Sequence, residues 1–361
     1  MRVPLETTET YSQRRRLYHN GPDRVTALRI YGVDIELALV LGRPVYLIGR
    51  DPERCDLRVP CKHIAAVNAR IERILESDSL RVTDVSDGKN QIVFRRVAAQ
   101  LFCIVAGDSF SIGETTFIAI NEEMQLERPL LSEIFGAQQY RAIDDLLRVA
   151  IDPNEGHIVL VGEPGCGQSA LAGAIHQISR RRQSRKEEVE PATRAGSADR
   201  QKIRSAMGGT LTIHLPLNGK FDPEFIAAAT SSDAGVRLIV CAHSLRKAQA
   251  SFPAGRLRNV TEIGLTALRH RREEIPGLLD KWFAEKGSRI RFGMLKKQVQ
   301  DKLLSYSWGD NLDELRASAV HLEHLSHYSS ERQATKDTNI TRKASRYWRG
   351  KIGLSVPIMQ P

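Results

Sequence analysis

Residues 157–178, HIVLVGEPGCGQSALAGAIHQI, constrain the fold of this chain more than any other stretch. HIVLV is a short apolar run typical of a buried strand, and SALAGAIHQI has the spacing of a helix. Three glycines between them, Gly162, Gly165 and Gly167, mark a tight turn. A strand, a glycine-rich turn and a helix in this order predict the start of an α/β domain with a parallel sheet.

The turn GEPGCGQS fits the phosphate-binding pattern GxxxxGK[ST], except that Gln168 stands at the lysine position. In a working loop the lysine reaches the outer phosphates and the Ser/Thr hydroxyl binds magnesium. Ser169 keeps that hydroxyl, but the neutral amide of Gln168 cannot neutralise charge on a transferring phosphoryl group. The glycine-rich turn has two possible interpretations. It binds ATP and magnesium weakly, or it only joins the strand to the helix. The second is favoured, and no cofactor is required.

The rest of the chain divides into segments that differ in their pattern of apolar, charged and turn residues. Residues 25–121 show short apolar runs broken by turn residues, which predict an all-β sandwich. LERPLLSEIF predicts a linker leading into a helix, the charged residues 179–206 predict a solvated, partly helical surface insert, and helical patterns dominate from residue 275. The predicted segments are a flexible N-terminus (1–24), the sandwich (25–122), a linker (123–136), an α/β subdomain (137–272), a helical lid (273–326) and a basic tail (327–361).

Composition narrows the class of protein. Lys and Arg number 53 against 43 Asp and Glu, so the formal charge of +10 permits an acidic partner without requiring one. The five cysteines are scattered without a CxxC pair, so no metal site is predicted. The N-terminal stretch lacks the apolar core of a signal peptide and no run is long enough to span a membrane, so a cytoplasmic protein is expected.

Four stretches within residues 25–122 follow one another as in a known family. They are Gly49-Arg50 after a strand, CDLRVPCKHIAAVNARI, SDGKNQIVF and GDSFSIGETTFIAI. On these stretches the region resembles a forkhead-associated (FHA) domain, a sandwich that reads phosphothreonine peptides. The resemblance implies that Arg50 supplies a guanidinium to the phosphate and that Asn90 holds the peptide backbone.

The sequence departs from the FHA pattern at three positions. Ala65 stands at the phosphate-donating serine, Asn68 at the structural histidine and Gln91 at the glycine after the asparagine. From the residues alone, Arg50 also reads as a surface arginine at a strand end and Asn90 as a turn residue. A sandwich that binds protein without phosphate therefore stays open beside a phosphothreonine reader.

Five blocks occur in order within residues 130–326: GCGQSALAGAIHQISRR, GGTLTIHL, RLIVCAHSL, LTALRHRREEIPGLLDKWF and SWGDNLDELR. Together they resemble the AAA+ domain of bacterial enhancer-binding proteins, the activators of sigma-54 RNA polymerase. The resemblance implies a nucleotide site built on the glycine-rich turn. It places His243 at the position of the family's first sensor residue. It places Arg256 at the position of the family's arginine that acts on a neighbouring subunit.

The departures from the AAA+ pattern fall on the catalytic positions. The Asp-Glu pair that holds magnesium and activates water is replaced by His214 and Leu215, and Asp313 stands at a sensor arginine. Hydrolysis needs a carboxylate to hold the metal and orient water, so with Gln168 these changes predict a pseudo-ATPase. The family's GAFTGA loop, which contacts the sigma factor, has no counterpart between residues 179 and 208.

The leading hypothesis is a non-catalytic regulatory or scaffold protein of signalling or transcription control. Its predicted partners are proteins, including phosphothreonine-containing ones, an AAA+ paralogue or a second copy, and no membrane. One alternative is an active ATP-dependent regulator of the sigma-54 type. Another is a DNA-binding regulator acting through TRKASRYWRGKIG, residues 341–353, where basic residues alternate with Tyr347 and Trp348. A solvated tail with its aromatics docked on the lid is favoured over DNA binding.

Overall fold

The computed structural model describes residues 24–40, 42–59, 61, 64–74, 78–88, 90–152, 156–190, 197–216, 223–231, 235–251, 260–327, 347–348, 350–351 and 358–359. The chain forms two compact units. The sandwich unit comprises Met1–Arg128 and Tyr140–Ile151, and the α/β unit comprises Pro129–Gln139 and Asp152–Pro361. Of the predicted flexible N-terminus, all but Arg24 lies outside the described residues.

The sandwich unit contains two sheets, as the alternating apolar pattern predicts. Its strands are β1 (Val25–Ile30), β2 (Glu36–Ala38), β3 (Val45–Gly49), β4 (Leu57–Arg58), β5 (Ala69–Arg73), β6 (Leu80–Asp84), β7 (Ile92–Phe94), β8 (Val97–Ala98), β9 (Leu101–Ile104), β10 (Ser109–Ile112) and β11 (Thr115–Asn121). One sheet has the order β2-β1-β11-β10-β7-β8 and the other β4-β3-β5-β6-β9. The Phe102 ring stacks on Phe94 with centroids 4.4 Å apart and meets Phe110 edge-on at 5.8 Å, so aromatic contacts join the two sheets.

The predicted linker at 123–136 is largely a helix, α1 (Glu122–Phe135). Asn121 caps it, because its Oδ1 accepts a hydrogen bond of 3.0 Å from the backbone N of Met124. Acidic residues fill the first turn, where they favour the positive end of the helix dipole. Leu131 and Ile134 are buried along the same helix. Capping and burial therefore outweigh the helix-breaking tendency of Pro129.

The second helix, α2 (Tyr140–Ile151), packs within the sandwich unit, although the sequence places it in the α/β subdomain. A Cβ on Gly107 would lie 2.3 Å from Cγ2 of Ile151, so only glycine allows this close approach. Buried Asp144 accepts hydrogen bonds from Gly32 N at 2.8 Å and from Arg128 Nη1 at 3.0 Å. The amphipathic pattern predicts the helix, but not the surface that its apolar face covers.

The α/β unit contains a five-stranded parallel sheet, as predicted. Its strands, β12 (His157–Val161), β13 (Lys186–Val189), β14 (Thr210–His214), β15 (Arg237–Ala242) and β16 (Val260–Gly264), lie in the order β13-β14-β15-β12-β16. The helices of this part are α3 (Gln168–Ile178), α4 (Ser197–Ser205), α5 (Pro223–Ala229) and α6 (Leu245–Ser251). The predicted surface insert at 179–206 is partly helical, as α4 shows, and it also supplies β13. This charged strand suits the edge of the sheet, where one side is unpaired.

The lid consists of α7 (Ile275–Glu285), α8 (Lys297–Ser305) and α9 (Asn311–Ser326), as the helical patterns predict. The described part of the tail docks on it. Trp348 is 7% exposed and its ring lies 6.3 Å from that of His321, whose pKa is lowered by burial to about 4. Lys351 Nζ donates to Glu314 Oε1 at 2.7 Å. The aromatic and basic residues named here therefore serve lid packing.

The fold class predicted from the sequence is confirmed: a β-sandwich, then an α/β domain with a helical lid. Within the described residues, no helix is both long and apolar enough to cross a membrane.

Candidate functional site

The glycine-rich loop lies between β12 and α3. Gly165 and Gly167 adopt left-handed backbone conformations, with φ of 72° and 93°, and Gly167 is the residue before the helix. A Cβ on Gly165 would lie 1.9 Å from the carbonyl oxygen of Asp310. The glycine at this position is thus explained by contact with protein backbone, independently of any phosphate.

The start of α9 is bound to the outer side of this loop. Leu312 N donates to Gly165 O at 2.9 Å, and Asn311 Nδ2 donates to Pro164 O at 2.9 Å. The other end of the Asn311 amide accepts a hydrogen bond of 2.8 Å from Leu268 N. Asn311 is fully buried and joins three chain segments. The sequence analysis does not single out this residue, although it stands at the start of the helical run NLDEL, close to where capping residues occur.

Gln168 points back into the fold. Its Nε2 donates to Leu160 O and to Ala242 O, both at 3.0 Å, so the amide pairs carbonyls at the ends of β12 and β15. A side chain in this position satisfies buried acceptors of the sheet. Ser169, the next residue, is exposed. Gln168 and Ser169 are adjacent in the sequence, but Gln168 bonds to the sheet and Ser169 is exposed to solvent.

Three other loop residues are also bonded or buried within the protein. Glu163 forms an ion pair with Arg269, whose hydrogen bonds hold the pKa of Glu163 below its usual range. Cys166 is 1% exposed, and burial raises the pKa of its thiol. Gly162 is buried, and its N donates to Ala242 O at 3.1 Å. These contacts make the loop part of the packed unit.

At the position of the magnesium-binding pair, His214 Nε2 contacts Glu188 Oε1 of the neighbouring strand β13. Leu215 is buried, and its N donates to Cys241 O at 2.9 Å. Asp313 lies in the first turn of α9 and is exposed. His243 is exposed after β15, and Arg256 lies outside the described residues. Glu188 was missed because its partner lies 26 positions away in the chain.

Three loops of the sandwich unit form the second candidate site, the recognition edge, defined by Arg50, Ala65 and Asn90. Arg50 is exposed, and its N donates to Ala65 O at 3.0 Å. Buried Asn68 joins the other two loops, because its Oδ1 accepts from Ala65 N and its Nδ2 donates to Asn90 O, both at 3.0 Å. Asn68 thereby ties together the loops that the resemblance assigns to recognition.

Gly49 explains how closely two of these loops approach. A Cβ there would lie 2.3 Å from Ala66 O and 2.8 Å from Cys55 Sγ, so any larger residue would push the loops apart. In the third loop, Asp84 Oδ1 accepts from Ser86 N at 2.9 Å and from Ser86 Oγ at 2.6 Å. The edge is therefore held by backbone and side-chain hydrogen bonds, with one guanidinium at its surface and a methyl group at Ala65.

Within the described residues, no group of three or more His, Cys, Asp and Glu side chains could hold a metal ion.

Two curated proteins are similar to parts of this chain. No family model matches the chain. It is similar to the transcriptional regulatory protein ZraR of Klebsiella oxytoca, at 27% identity over 228 residues covering 51% of each protein. It is also similar to the C4-dicarboxylate transport transcriptional regulatory protein DctD of Pseudomonas aeruginosa, at 24% identity over 249 residues covering 57% of this chain and 52% of that protein. The chain spans about half the length of these curated relatives.

Two solved structures also match this chain in part. NtrX from Brucella abortus in complex with ATP matches with a TM-score of 0.41 and 21% identity, covering 56% of each chain. The FHA domain of CT664 from Chlamydia trachomatis matches with a TM-score of 0.24 and 21% identity, covering 26% of this chain and 95% of that one. The curated relatives bear out the predicted similarity to transcriptional regulators.

Replacing Gln168 by alanine is expected to lower the free energy of unfolding of the α/β unit by about 1–3 kcal/mol, because two hydrogen bonds worth about 0.5–1.5 kcal/mol each are lost. Ala242 O keeps its bond from Gly162 N. Ser169→Ala is the matched control, and at this exposed position it is expected to cost less than about 0.5 kcal/mol. Urea denaturation followed by tryptophan fluorescence measures both. Equal stability of the two variants would contradict a structural role for Gln168.

Proposed function

We propose that this chain is a non-catalytic regulatory or scaffold protein of transcription control, whose sandwich and α/β units both bind protein partners. The observation that carries the proposal is the position of Gln168. Its amide pairs two strand carbonyls, so this side chain neither carries a charge nor points out of the fold toward a phosphate. Without that charge the loop offers no neutralisation of a transferring phosphoryl group.

The residues at the end of β14 support the same proposal. His214 and Leu215 replace two carboxylates, and His214 pairs with Glu188 while Leu215 is buried. The carboxylate of Glu188 contacts the His214 imidazole and is therefore already engaged. Metal-assisted hydrolysis needs a carboxylate free to hold the ion and orient water. On this proposal the chain needs no cofactor and is a pseudo-ATPase that retains the fold for binding.

The recognition edge is the proposed contact for a partner on the sandwich unit. Arg50 presents its guanidinium there, a group suited to an acidic or phosphorylated side chain. Arg50 N bonds to Ala65 O, and Asn68 joins the Ala65 loop to the Asn90 loop, so the backbone of this contact is preorganised. The similarity to ZraR and DctD supports a role in transcription control, carried out by recruiting or co-assembling with other proteins.

Phosphate release from ATP tests the loss of catalysis. With magnesium present, release by the purified chain is expected to equal release by the Ser169→Ala variant and by a protein-free blank, because the loop has no charged side chain at position 168. A fluorescent ATP analogue in the same tubes reports binding. Release above the blank that Ser169→Ala abolishes would overturn the proposal, whereas binding without release would leave a nucleotide-regulated scaffold.

A further inference from the structure

A cavity of about 360 Å³ lies against the six-stranded sheet of the sandwich unit, lined by the β7–β8 hairpin, β10 and α2. It lies apart from Arg50 and Asn90, which do not line it. Among the described residues, its polar lining includes the guanidinium-bearing Arg95, Arg96 and Arg148 and the hydroxyl-bearing Ser109 and Ser111. The cavity thus combines hydrogen-bond donors from three separate elements.

The conformation of the hairpin turn is unusual. Arg95 and Arg96 are the two residues between β7 and β8, and both have left-handed backbones, with φ of 49° and 69°. Two-residue hairpin turns of this kind favour asparagine and glycine, because a Cβ disfavours positive φ. The chain keeps two arginines where the backbone favours smaller residues. Arginines at turn positions that favour asparagine or glycine indicate a role for the arginine side chains themselves.

The third arginine is placed by a well-anchored helix. Arg148 lies one turn after Asp144, which is bound to Gly32 N, and three residues before Ile151, which packs against Gly107. On the sheet, Ser109 and Ser111 alternate with inward-facing buried residues, so their side chains lie on the opposite face. The donors therefore stand on rigid elements, which lowers the entropy lost when they bind a ligand.

The charge of the lining fits one class of ligand. Asp108 is the one carboxylate among the described lining residues. Its Oδ2 accepts from Val105 N at 3.0 Å, and its Oδ1 lies 3.7 Å from Arg95 Nη2. Three guanidinium charges less one carboxylate leave a formal surplus of two positive charges. A phosphate monoester carries close to two negative charges at neutral pH, and its oxygens match the paired donors of arginine.

We propose that the cavity bounded by Arg95, Arg96 and Arg148 is a second anion site, which binds the phosphate group of a phosphate monoester. Ser109 supplies a neutral donor, whereas the Ser111 hydroxyl shares a hydrogen bond of 2.8 Å with Thr116 Oγ1. Asp108 holds the turn and orients Arg95. The site is independent of the recognition edge and of any nucleotide at the glycine-rich loop.

The test uses the full chain with Arg95→Asn and Arg96→Gly together, because these residues suit the turn and preserve folding. Calorimetric titration with inorganic phosphate is expected to show saturable binding that weakens at least about tenfold in this double variant, since each lost charged hydrogen bond is worth that factor or more. The thermal unfolding temperature is expected to stay level or rise. Arg81→Ala removes an exposed arginine of β6 and is expected to leave binding unchanged.

Each outcome bears on the site. Absence of phosphate binding, or binding that the double variant retains, would overturn the proposal. Loss of binding in Arg50→Ala but not in the double variant would assign the phosphate to the recognition edge and overturn the second site alone. Where the double variant loses binding, a phosphothreonine peptide that binds more tightly than inorganic phosphate identifies a protein source. Equal or weaker binding of the peptide identifies a free phosphate or small ester.

Discussion

Replacing Asp144 by alanine is expected to lower the free energy of unfolding of the sandwich unit by about 3–5 kcal/mol, the range for removing one partner of a buried ion pair. Asp144 is fully buried, and its Oδ1 lies 3.0 Å from Arg128 Nη1 and 3.6 Å from Nε of Arg29, which is itself 2% exposed. Without the carboxylate, two largely buried guanidinium groups lose a counter-charge. Arg29 keeps its contact with Glu36, which favours the lower end of the range.

The neighbouring residue supplies the control. Asp145 is exposed and accepts a hydrogen bond of 2.9 Å from the hydroxyl of Tyr31, so Asp145→Ala is expected to cost less than about 1.5 kcal/mol. All three tryptophans of the chain lie in the α/β unit, so their fluorescence does not follow the sandwich unit. Hydrogen exchange of the β1 and β11 amides measures it instead. Similar protection in the two variants would contradict the anchoring role of Asp144.

Replacing Gly165 by alanine is expected to destabilise the α/β unit by about 2–5 kcal/mol. A left-handed backbone costs a residue with a Cβ about 1–2 kcal/mol, and overpacking against a fixed neighbour adds about 1–3 kcal/mol. Here φ is 72°, and the new Cβ would lie 1.9 Å from Asp310 O. The hydrogen bonds that Leu312 and Asn311 make to the loop would be strained by the same displacement.

Gly208→Ala separates the two contributions. Gly208 has nearly the same φ, 71°, but a Cβ there would meet no atom within 4 Å. It is expected to cost only the backbone term of about 1–2 kcal/mol. Urea denaturation followed by tryptophan fluorescence reports both variants, since the tryptophans share their unit. Equal costs would show that the loop moves freely away from Asp310 and that α9 is not closely packed on it.

Most of the fold could be predicted because its signals are local. The alternation in VYLIG and LRVTD places β3 and β6, and the glycine turn between HIVLV and SALAGAIHQI places the start of the parallel sheet. The helix extends further back than the predicted start, through Pro129, because the burial of Leu131 and Ile134 depends on partners elsewhere in the chain. The charged run containing KEEV gave no sign of a strand, since β13 is stabilised by pairing with β14.

The sequence indicated which residues belong to the candidate sites, but not which contacts those residues make. Asn68 joins the Ala65 and Asn90 loops, and Arg50 N bonds to Ala65 O, but these are contacts that no sequence pattern encodes. The anion cavity escaped sequence reasoning altogether. QIVFRR is predicted as a strand, and no local pattern places Arg148 beside its two arginines.

By itself the sequence determined the classes of structure that the chain forms and the side chains present at the catalytic positions of the resembled family. Periodicity, turn residues and the identity of each side chain define a sandwich, a parallel sheet and a lid, and they put glutamine, histidine and leucine where ATPases of the resembled family carry charge. Only the tertiary structure decided which unit α2 stabilises, that Gln168 pairs Leu160 O and Ala242 O, and that three arginines share one cavity. These outcomes depend on contacts between residues far apart in the chain, which short-range patterns do not specify.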